Sequence, residues 1–594
     1  MALLALLGLV CLLALPGMPF AFAILKRDDS IARKIALGAQ LSLGFNTLLL
    51  FLVGVLLAGM TWLFIPLYLI ASAIGVRLAS QGGFAFKFPP LRFPVPEWQH
   101  LAALFCIAVI ALEFYYSAFF PFYSWDAIAS YNRWASAIFE SGGAQLFQPY
   151  PELVPIAYAF PYFAAGAVAQ NYAHALSWVA GTLALFYAYE TAKKFSANGW
   201  LAVFLALAIP EFIYLYNSGY ADTFMAAFVS SGAYYALESL EGKGGKPALI
   251  SGALFGLAAF SKPQGLFLLF IVPSAYAAAW AYSKWRKLAS GAPASCALSL
   301  ASFAAVASPW YAAAVALAPG FFSRQLSLSQ LGTDAGASLP GLPGNPLFRP
   351  AFVVQNFAEA YKYDVQWWLA ALLLCGFLAF AAGELARKRQ PSPAKLFAAA
   401  FAALSLAFWI GFMSFEFRQF AFALPLFASL GAAGIACAAS KLAGPSRIAL
   451  FAAVGALLLF TVPFTLHAAS TGKTIGLVRF DPAWGLGNAF ASDDEKLLHS
   501  LGDVYDMTMY IRANALDGRD TLVSDPRMLS MLDMKTRYAG AAQAGSEELA
   551  GLRYVVIGSR AGLSPELSAA LNRSSTKLVY SAGPYQLFEL NSTG

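Results

Sequence analysis

Gly38-Ala-Gln-Leu-Ser-Leu-Gly-Phe-Asn-Thr-Leu-Leu-Leu-Phe-Leu-Val-Gly-Val-Leu-Leu-Ala-Gly-Met60 carries no charged residue. A helix needs about 17–25 apolar residues to cross a bilayer, so this stretch reads as a membrane span. Ala2–Ala23 reads the same way. Working outward, the pattern recurs along the whole chain of 594 residues, of which 59% are hydrophobic, 15% aromatic and 12% charged. Soluble domains carry about 25% charged residues, so lipid is the expected solvent. The N-terminus lacks the basic segment of a signal peptide and is read as a retained first helix.

About fourteen spans are expected, at roughly 3–23, 36–57, 60–77, 99–119, 170–191, 197–216, 222–240, 248–262, 264–283, 293–314, 365–384, 395–414, 419–439 and 446–468. With the N-terminus outside, the inner loops collect 20 basic residues and the outer segments before the tail only 6. That asymmetry is what membrane insertion demands. The fold class is a polytopic all-α bundle with a C-terminal extracytoplasmic α/β domain, located in the cell membrane. Three parts are expected: a three-helix extension at 1–98, a transmembrane domain at 99–468 with outer loops 120–169 and 315–364, and the domain at 469–594. In that last part Thr521–Ser524, Tyr554–Ile557 and Tyr585–Leu590 read as strands and Asp494–Ala513 as helix.

The net charge of +7 is spread over short clusters between apolar runs, so no nucleic-acid partner is expected. All five cysteines lie in apolar runs and the four histidines are scattered, which points to neither a disulfide framework nor a metal site. Charge at the membrane edge is costly and usually functional. Four outer positions stand out. Asp126 lies in Phe122-Tyr-Ser-Trp-Asp-Ala-Ile-Ala-Ser-Tyr-Asn-Arg-Trp-Ala135, where Trp125, Ile128, Tyr131, Ala135 and Ile138 repeat at helical spacing, as in a helix lying on the bilayer. Asp222 lies in Tyr216-Asn-Ser-Gly-Tyr-Ala-Asp-Thr223. Either acid could instead cap a helix. Lys262, in Phe260-Ser-Lys-Pro-Gln-Gly265, and Arg418, in Phe415-Glu-Phe-Arg-Gln-Phe420, are phosphate-binding cations or, alternatively, interfacial anchors.

From about residue 99 onward, these motifs resemble the GT-C superfamily of membrane glycosyltransferases. The likeness is to the branch of protein O-mannosyltransferases and lipid A aminoarabinose transferases. Trp125-Asp126-Ala127 with Tyr131 and Trp134 resembles that branch's first outer loop with its catalytic aspartate, and Tyr150-Pro-Glu-Leu-Val-Pro155 its Pro-Pro-Leu stretch. Ser218-Gly-Tyr-Ala-Asp-Thr223 resembles its second acidic motif, Ser261-Lys262 with Gly265 its Thr-Lys-Gly, Ser308-Pro-Trp-Tyr311 its Pro-Trp-Tyr, and Arg418 with Leu424-Pro425 its Arg-Tyr-Leu-Pro. Two departures matter. Metal-dependent oligosaccharyltransferases place a second acid where this chain has Phe224, and their Trp-Trp-Asp-Tyr-Gly motif is absent, since Trp367-Trp368 continues as Leu-Ala. No cofactor is therefore expected, and a divalent metal is not favoured.

The resemblance implies an inverting transfer of a hexosyl or pentosyl group from a polyprenyl-phosphate lipid to an acceptor hydroxyl on the extracytoplasmic side. Asp126 would be the base, Asp222 a second site acid, and Lys262 and Arg418 the phosphate holders. Trp125, Tyr131, Arg133 and Tyr220 would line the substrate cavity. The acceptor is unspecified: protein, lipid or polysaccharide. The rival reading is a transporter or flippase of a lipid-linked sugar, which would more often place its charges at mid-span.

Overall fold

The computed structural model describes residues 1–57, 60–81, 98–124, 126–143, 150–242, 244–287, 291–317, 374, 376–381, 392–410, 417–442, 444–446, 455–456 and, with short interruptions, 488–590. The expected spans at 365–384 and 446–468, and the loop 315–364, fall mostly or wholly outside these residues.

The chain runs through α1 (Ala2–Ala14), α2 (Gly17–Ile24), α3 (Ile31–Phe51), α4 (Phe64–Gln81) and α5 (Trp98–Phe119). A π-helical turn (Ala127–Asn132) leads into α6 (Arg133–Glu140). Then come α7 (Leu153–Ala165), α8 (Gln170–Lys194), α9 (Gly199–Leu207), α10 (Pro210–Ser218), α11 (Ala221–Leu240), α12 (Gly245–Ser261), α13 (Leu268–Trp285) and α14 (Ala292–Leu317). Further on are α15 (Pro393–Phe408), a 3-10 turn (Phe417–Ala423) and α16 (Leu424–Lys441).

The count of fourteen spans is not recovered. Among the described residues seven helical stretches are long and apolar enough to cross a membrane: Ala2–Ile24, Ile31–Val55, Thr61–Gln81, Ala102–Phe119, Pro263–Trp285, Ala292–Ala316 and Arg418–Lys441. The reason lies in what the other helices touch. From Ala221 to Ser239 every residue of α11 is buried, and α8 packs along it. A helix that faces protein all round, as α11 does, can carry Tyr, Ser and Glu, and the buried side of α8 carries His174 and Ser177. The expected span at 197–216 is two helices, α9 and α10, bent by 84°. Pro210 sits at the first turn of α10, where its missing N–H costs nothing.

Close packing sets the bundle's density. Gly252 and Gly256 of α12 face α14, and a Cβ on Gly252 would collide with the Ser299 backbone carbonyl. Small residues four apart let helix backbones meet in lipid. The face of the π turn and α6 that was expected to lie on the bilayer is turned inward instead. Ile128, Tyr131, Ala135 and Ile138 are all buried, and α6 packs on α7.

The C-terminal part begins with α17 (Asp493–Leu501), started by a reciprocal Ser492–Glu495 cap, and α18 (Asp503–Ala513). The expected single helix is thus broken at Gly502, whose φ is +53°. Five strands follow: β1 (Thr521–Val523), β2 (Arg537–Tyr538), β3 (Tyr554–Ile557), β4 (Lys577–Ala582) and β5 (Tyr585–Glu589). They form one sheet in the order β2-β1-β3-β5-β4. β1 pairs parallel with β2 and β3, while β5 pairs antiparallel with β3 and β4. Lys496 Nζ donates to Phe119 O at 2.7 Å, tying this part to the end of α5.

Candidate active site

The C-terminal end of α10 positions the site. Its carbonyls have no partner within the helix, and side chains from other segments satisfy them. Ser177 donates to Tyr216 O at 3.0 Å, Ser124 to Ser218 O, Tyr158 to Gly219 O at 2.9 Å, and His174 Nε2 faces Asn217 O. Gly219 closes the helix with φ +78°, and a Cβ there would meet the Phe122 ring at 2.7 Å. The turn leading to Asp222 is therefore fixed against the segment leading to Asp126.

The four singled-out charges meet as two ion pairs. Arg418 Nη1 donates to Asp126 Oδ2 at 2.5 Å, and Lys262 Nζ bonds Asp222 Oδ1. Neither acid caps a helix through its side chain, which sets the capping alternative aside. Nor does Lys262 reach out as an anchor, since it is buried and also donates to Gln419 Oε1 at 2.8 Å. Gln264 donates to the same oxygen at 3.1 Å. Gln419 follows Arg418 on the 3-10 turn, so one dipeptide joins both pairs. The pairs differ in access. The side chains of Asp126 and Arg418 are 31% and 18% exposed, those of Asp222 and Lys262 only 5% and 6%.

Tyrosines ring the pairs. The Asp126 backbone N–H donates to Tyr220 OH at 3.3 Å, Tyr214 OH donates to the same oxygen at 3.3 Å, and the Arg418 guanidinium lies 5.1 Å from the centre of the Tyr220 ring. Burial first, and then the Asp126 charge, push the Tyr220 phenol up to about 12. Tyr131 and Tyr150 share a hydrogen bond of 3.1 Å. Both phenols are pushed up, chiefly by burial, and both feel the charges of Asp222 and Asp126. Trp134 packs against both rings. These two hydroxyls thus lie in the field of both acids.

Of the expected lining residues, Tyr131 and Tyr220 are in this cluster and Trp125 falls outside the described residues. Arg133, at the start of α6, is half-buried; its Nε has no hydrogen bond, and burial holds its guanidinium below the ordinary range. Phe224 is buried against the Tyr158 ring. Among the described residues no three of His, Cys, Asp and Glu gather as a metal-holding group. Sequence reasoning missed Gln419, Gln264, Tyr214 and the partnership of Tyr150 with Tyr131. For Gln419 the available signal was its place directly after Arg418.

The class is a helical membrane protein, with seven stretches long and apolar enough to cross a bilayer among the described residues and four charges gathered as two ion pairs. The particular likeness is to ArnT from Cupriavidus metallidurans. The crystal structure of that protein bound to undecaprenyl phosphate matches with a TM-score of 0.52 at 15% identity, covering 83% of this chain and 98% of that one. Its apo state matches with a TM-score of 0.50 at 14% identity over the same shares. At such identity the likeness is one of fold. A family model described as dolichyl-phosphate-mannose-protein mannosyltransferase matches residues 171–312, which include Asp222 and Lys262 but neither Asp126 nor Arg418. Among curated proteins none matches the chain. The resemblance to the O-mannosyltransferase and aminoarabinose-transferase branch holds on both counts.

Proposed function

We propose that this chain transfers a sugar from a polyprenyl-phosphate lipid to an acceptor hydroxyl at the extracytoplasmic edge of the membrane, with inversion. The observation that carries the reading is the convergence of the two ion pairs, joined through Gln419. Two carboxylates and two cations, far apart in sequence, meet beside a ring of tyrosines. The undecaprenyl phosphate named for the ArnT structure supports a lipid phosphate as the anion these cations hold.

Asp126 is the more exposed acid and takes the role of base. It removes the acceptor proton as the oxygen attacks the anomeric carbon, and the C–O bond to phosphate breaks on the opposite face. The leaving phosphate gains charge, which Arg418 and Lys262 stabilise, the first as a two-pronged donor and the second as a point charge. Arg418 donates to Asp126. A donor phosphate that takes Arg418 therefore also frees the base. Asp222 keeps Lys262 in place, and Tyr131, Tyr220 and Arg133 line the substrate path.

The test is transfer by the full-length chain in lipid nanodiscs from a panel of polyprenyl-phosphate hexoses and pentoses. The wild type is expected to transfer from at least one donor, with the anomeric configuration inverted. Asp126→Asn is expected to lose about 10²–10⁴-fold in rate, the usual contribution of a general base, with its melting temperature kept. Lipid translocation without any transfer would refute the enzyme and favour a flippase.

A further inference from the structure

His174, near the start of α8, is fully buried between two backbone carbonyls. Its Nδ1 is 2.9 Å from Phe120 O, and its Nε2 lies against Asn217 O. A carbonyl oxygen only accepts, and a neutral imidazole has one N–H and one lone pair. A neutral ring would therefore aim its lone pair at one of these oxygens. The imidazolium donates to both. One carbonyl belongs to the segment that runs into Asp126, the other to the turn that runs into Asp222.

A buried cation needs a counter-charge. Glu113 of α5 is fully buried, and neither of its oxygens is hydrogen-bonded among the described residues. Its polar neighbour is the side chain of Asn217. The amide oxygen of Asn217 is taken by Tyr123 OH at 2.7 Å, so its NH₂ is the end left for Glu113. Asn217 thus stands between the two groups, its backbone oxygen on His174 and its side chain toward Glu113. The other titratable groups around His174 are Tyr123, whose ring lies 5.6 Å away, Tyr158 behind Phe122, Tyr216 on α10, and Lys496 over the Phe120 ring. Lys496 adds positive charge, with the exposed Asp493 beside it bonded to Asn171 one turn before His174, and Glu113 is the buried carboxylate of the set. A buried acid inside a span is costly and calls for a role.

We propose that His174 is a positively charged strap, balanced by Glu113, that holds the Asp126 and Asp222 segments at a fixed separation. It is a positioning residue, touching no substrate. Its bearing on transfer rests on the function proposed above, whereas its charge state does not.

The experiment is ¹⁵N-histidine spectroscopy of the full-length chain in nanodiscs. The chain has four histidines, so the difference from His174→Gln assigns the signal. Both ring nitrogens of His174 are expected to be protonated from about pH 6 to about pH 8. In Glu113→Gln the ring should lose one proton within that range. A wild-type ring with one bare nitrogen at about pH 7 overturns the proposal, however the variants behave. A ring still doubly protonated in Glu113→Gln overturns the role of Glu113. In transfer assays Glu113→Gln should lower kcat by up to about 10²-fold, the effect of a misplacement of about 1 Å, with the KM for the donor held. A fall confined to KM would overturn the positioning role.

Discussion

Helix α11 carries an ion pair at each end, and the two ends are built differently. At its start Asp222 meets Lys262; at its finish Glu238 meets Lys194. Sixteen residues at 1.5 Å each put the two acids roughly 24 Å apart. At the finishing end the partners are shared. Lys194 also pairs with Glu241 at 2.8 Å, Glu190 with Arg33 at 2.7 Å and Lys193 at 3.8 Å, and Arg33 with Asp29 at 2.6 Å. At the starting end, among the described residues, each carboxylate and each cation enters a single ion pair, and Gln419 connects the two pairs. A network of shared partners ties several helices together, as suits a clamp between α3, α8 and α11. Single pairs hand a cation over to an arriving anion, as suits a site.

Lys262→Met tests this contrast most severely. It leaves Asp222 buried without a cation, and breaking a buried pair from one side costs about 3–5 kcal/mol. Melting of the detergent-solubilised protein should fall sharply, and transfer should be lost. The matching change at the other end, Lys194→Met, should cost less, because Glu238 keeps the hydrogen bond from Tyr234 OH. Equal losses from the two changes would erase the distinction between the ends.

Gly219→Ala probes the turn that joins the two acid-bearing segments. Alanine is strained at φ +78°, and its Cβ would press on the Phe122 ring at 2.7 Å and on Ala127 Cβ at 3.0 Å. A loss of about 1–3 kcal/mol is expected from strain and overpacking. Transfer should fall further than stability, because the displaced Ala127 adjoins Asp126. A stable variant with full activity would show that this turn does not set the position of the base.

The four charged positions were legible because membrane topology sorts charge: a basic or acidic residue at the edge of an apolar run stands out from its surroundings. Their pairing was not legible. Asp126 meets Arg418 across 292 residues and Lys262 meets Asp222 across 40, and no local rule links such positions. The part played by Gln419 depends on a 3-10 turn, in which successive side chains point about 120° apart. Sequence periodicity placed that position at the start of an ordinary span. The bend between α9 and α10 did leave a signal in Pro210, outweighed by the apolar run around it. Against the fourteen expected spans, seven long apolar helical stretches are found among the described residues. Two expected spans lie mostly or wholly outside those residues, and hydropathy measures how well a helix suits lipid, whereas α11 is surrounded by protein.

Arg418→Lys sharpens the comparison from the exposed side of the site. The charge remains but the fork is lost, so the pair with Asp126 survives as a point contact. Partly exposed pairs contribute about 0–1 kcal/mol, and melting should hardly move. Transfer should still fall, by about tenfold or more, because the developing phosphate charge loses a two-pronged donor. Undiminished transfer would place the phosphate elsewhere.

Asp29→Asn should do the least. Asp29 lies at the edge of the shared network, bonded to Arg33 and accepting the backbone N–H of Lys26 at 2.9 Å. Arg33 keeps Glu190 when Asp29 is neutral, and asparagine can still accept from Lys26. The expected cost is below about 1 kcal/mol, with transfer and donor KM unchanged. A large loss of stability would mean that the network depends on its outermost member. A selective loss of transfer would mean that charge at the finishing end of α11 is felt at its start. In either case the two ends of the helix could no longer be read as a clamp and a site.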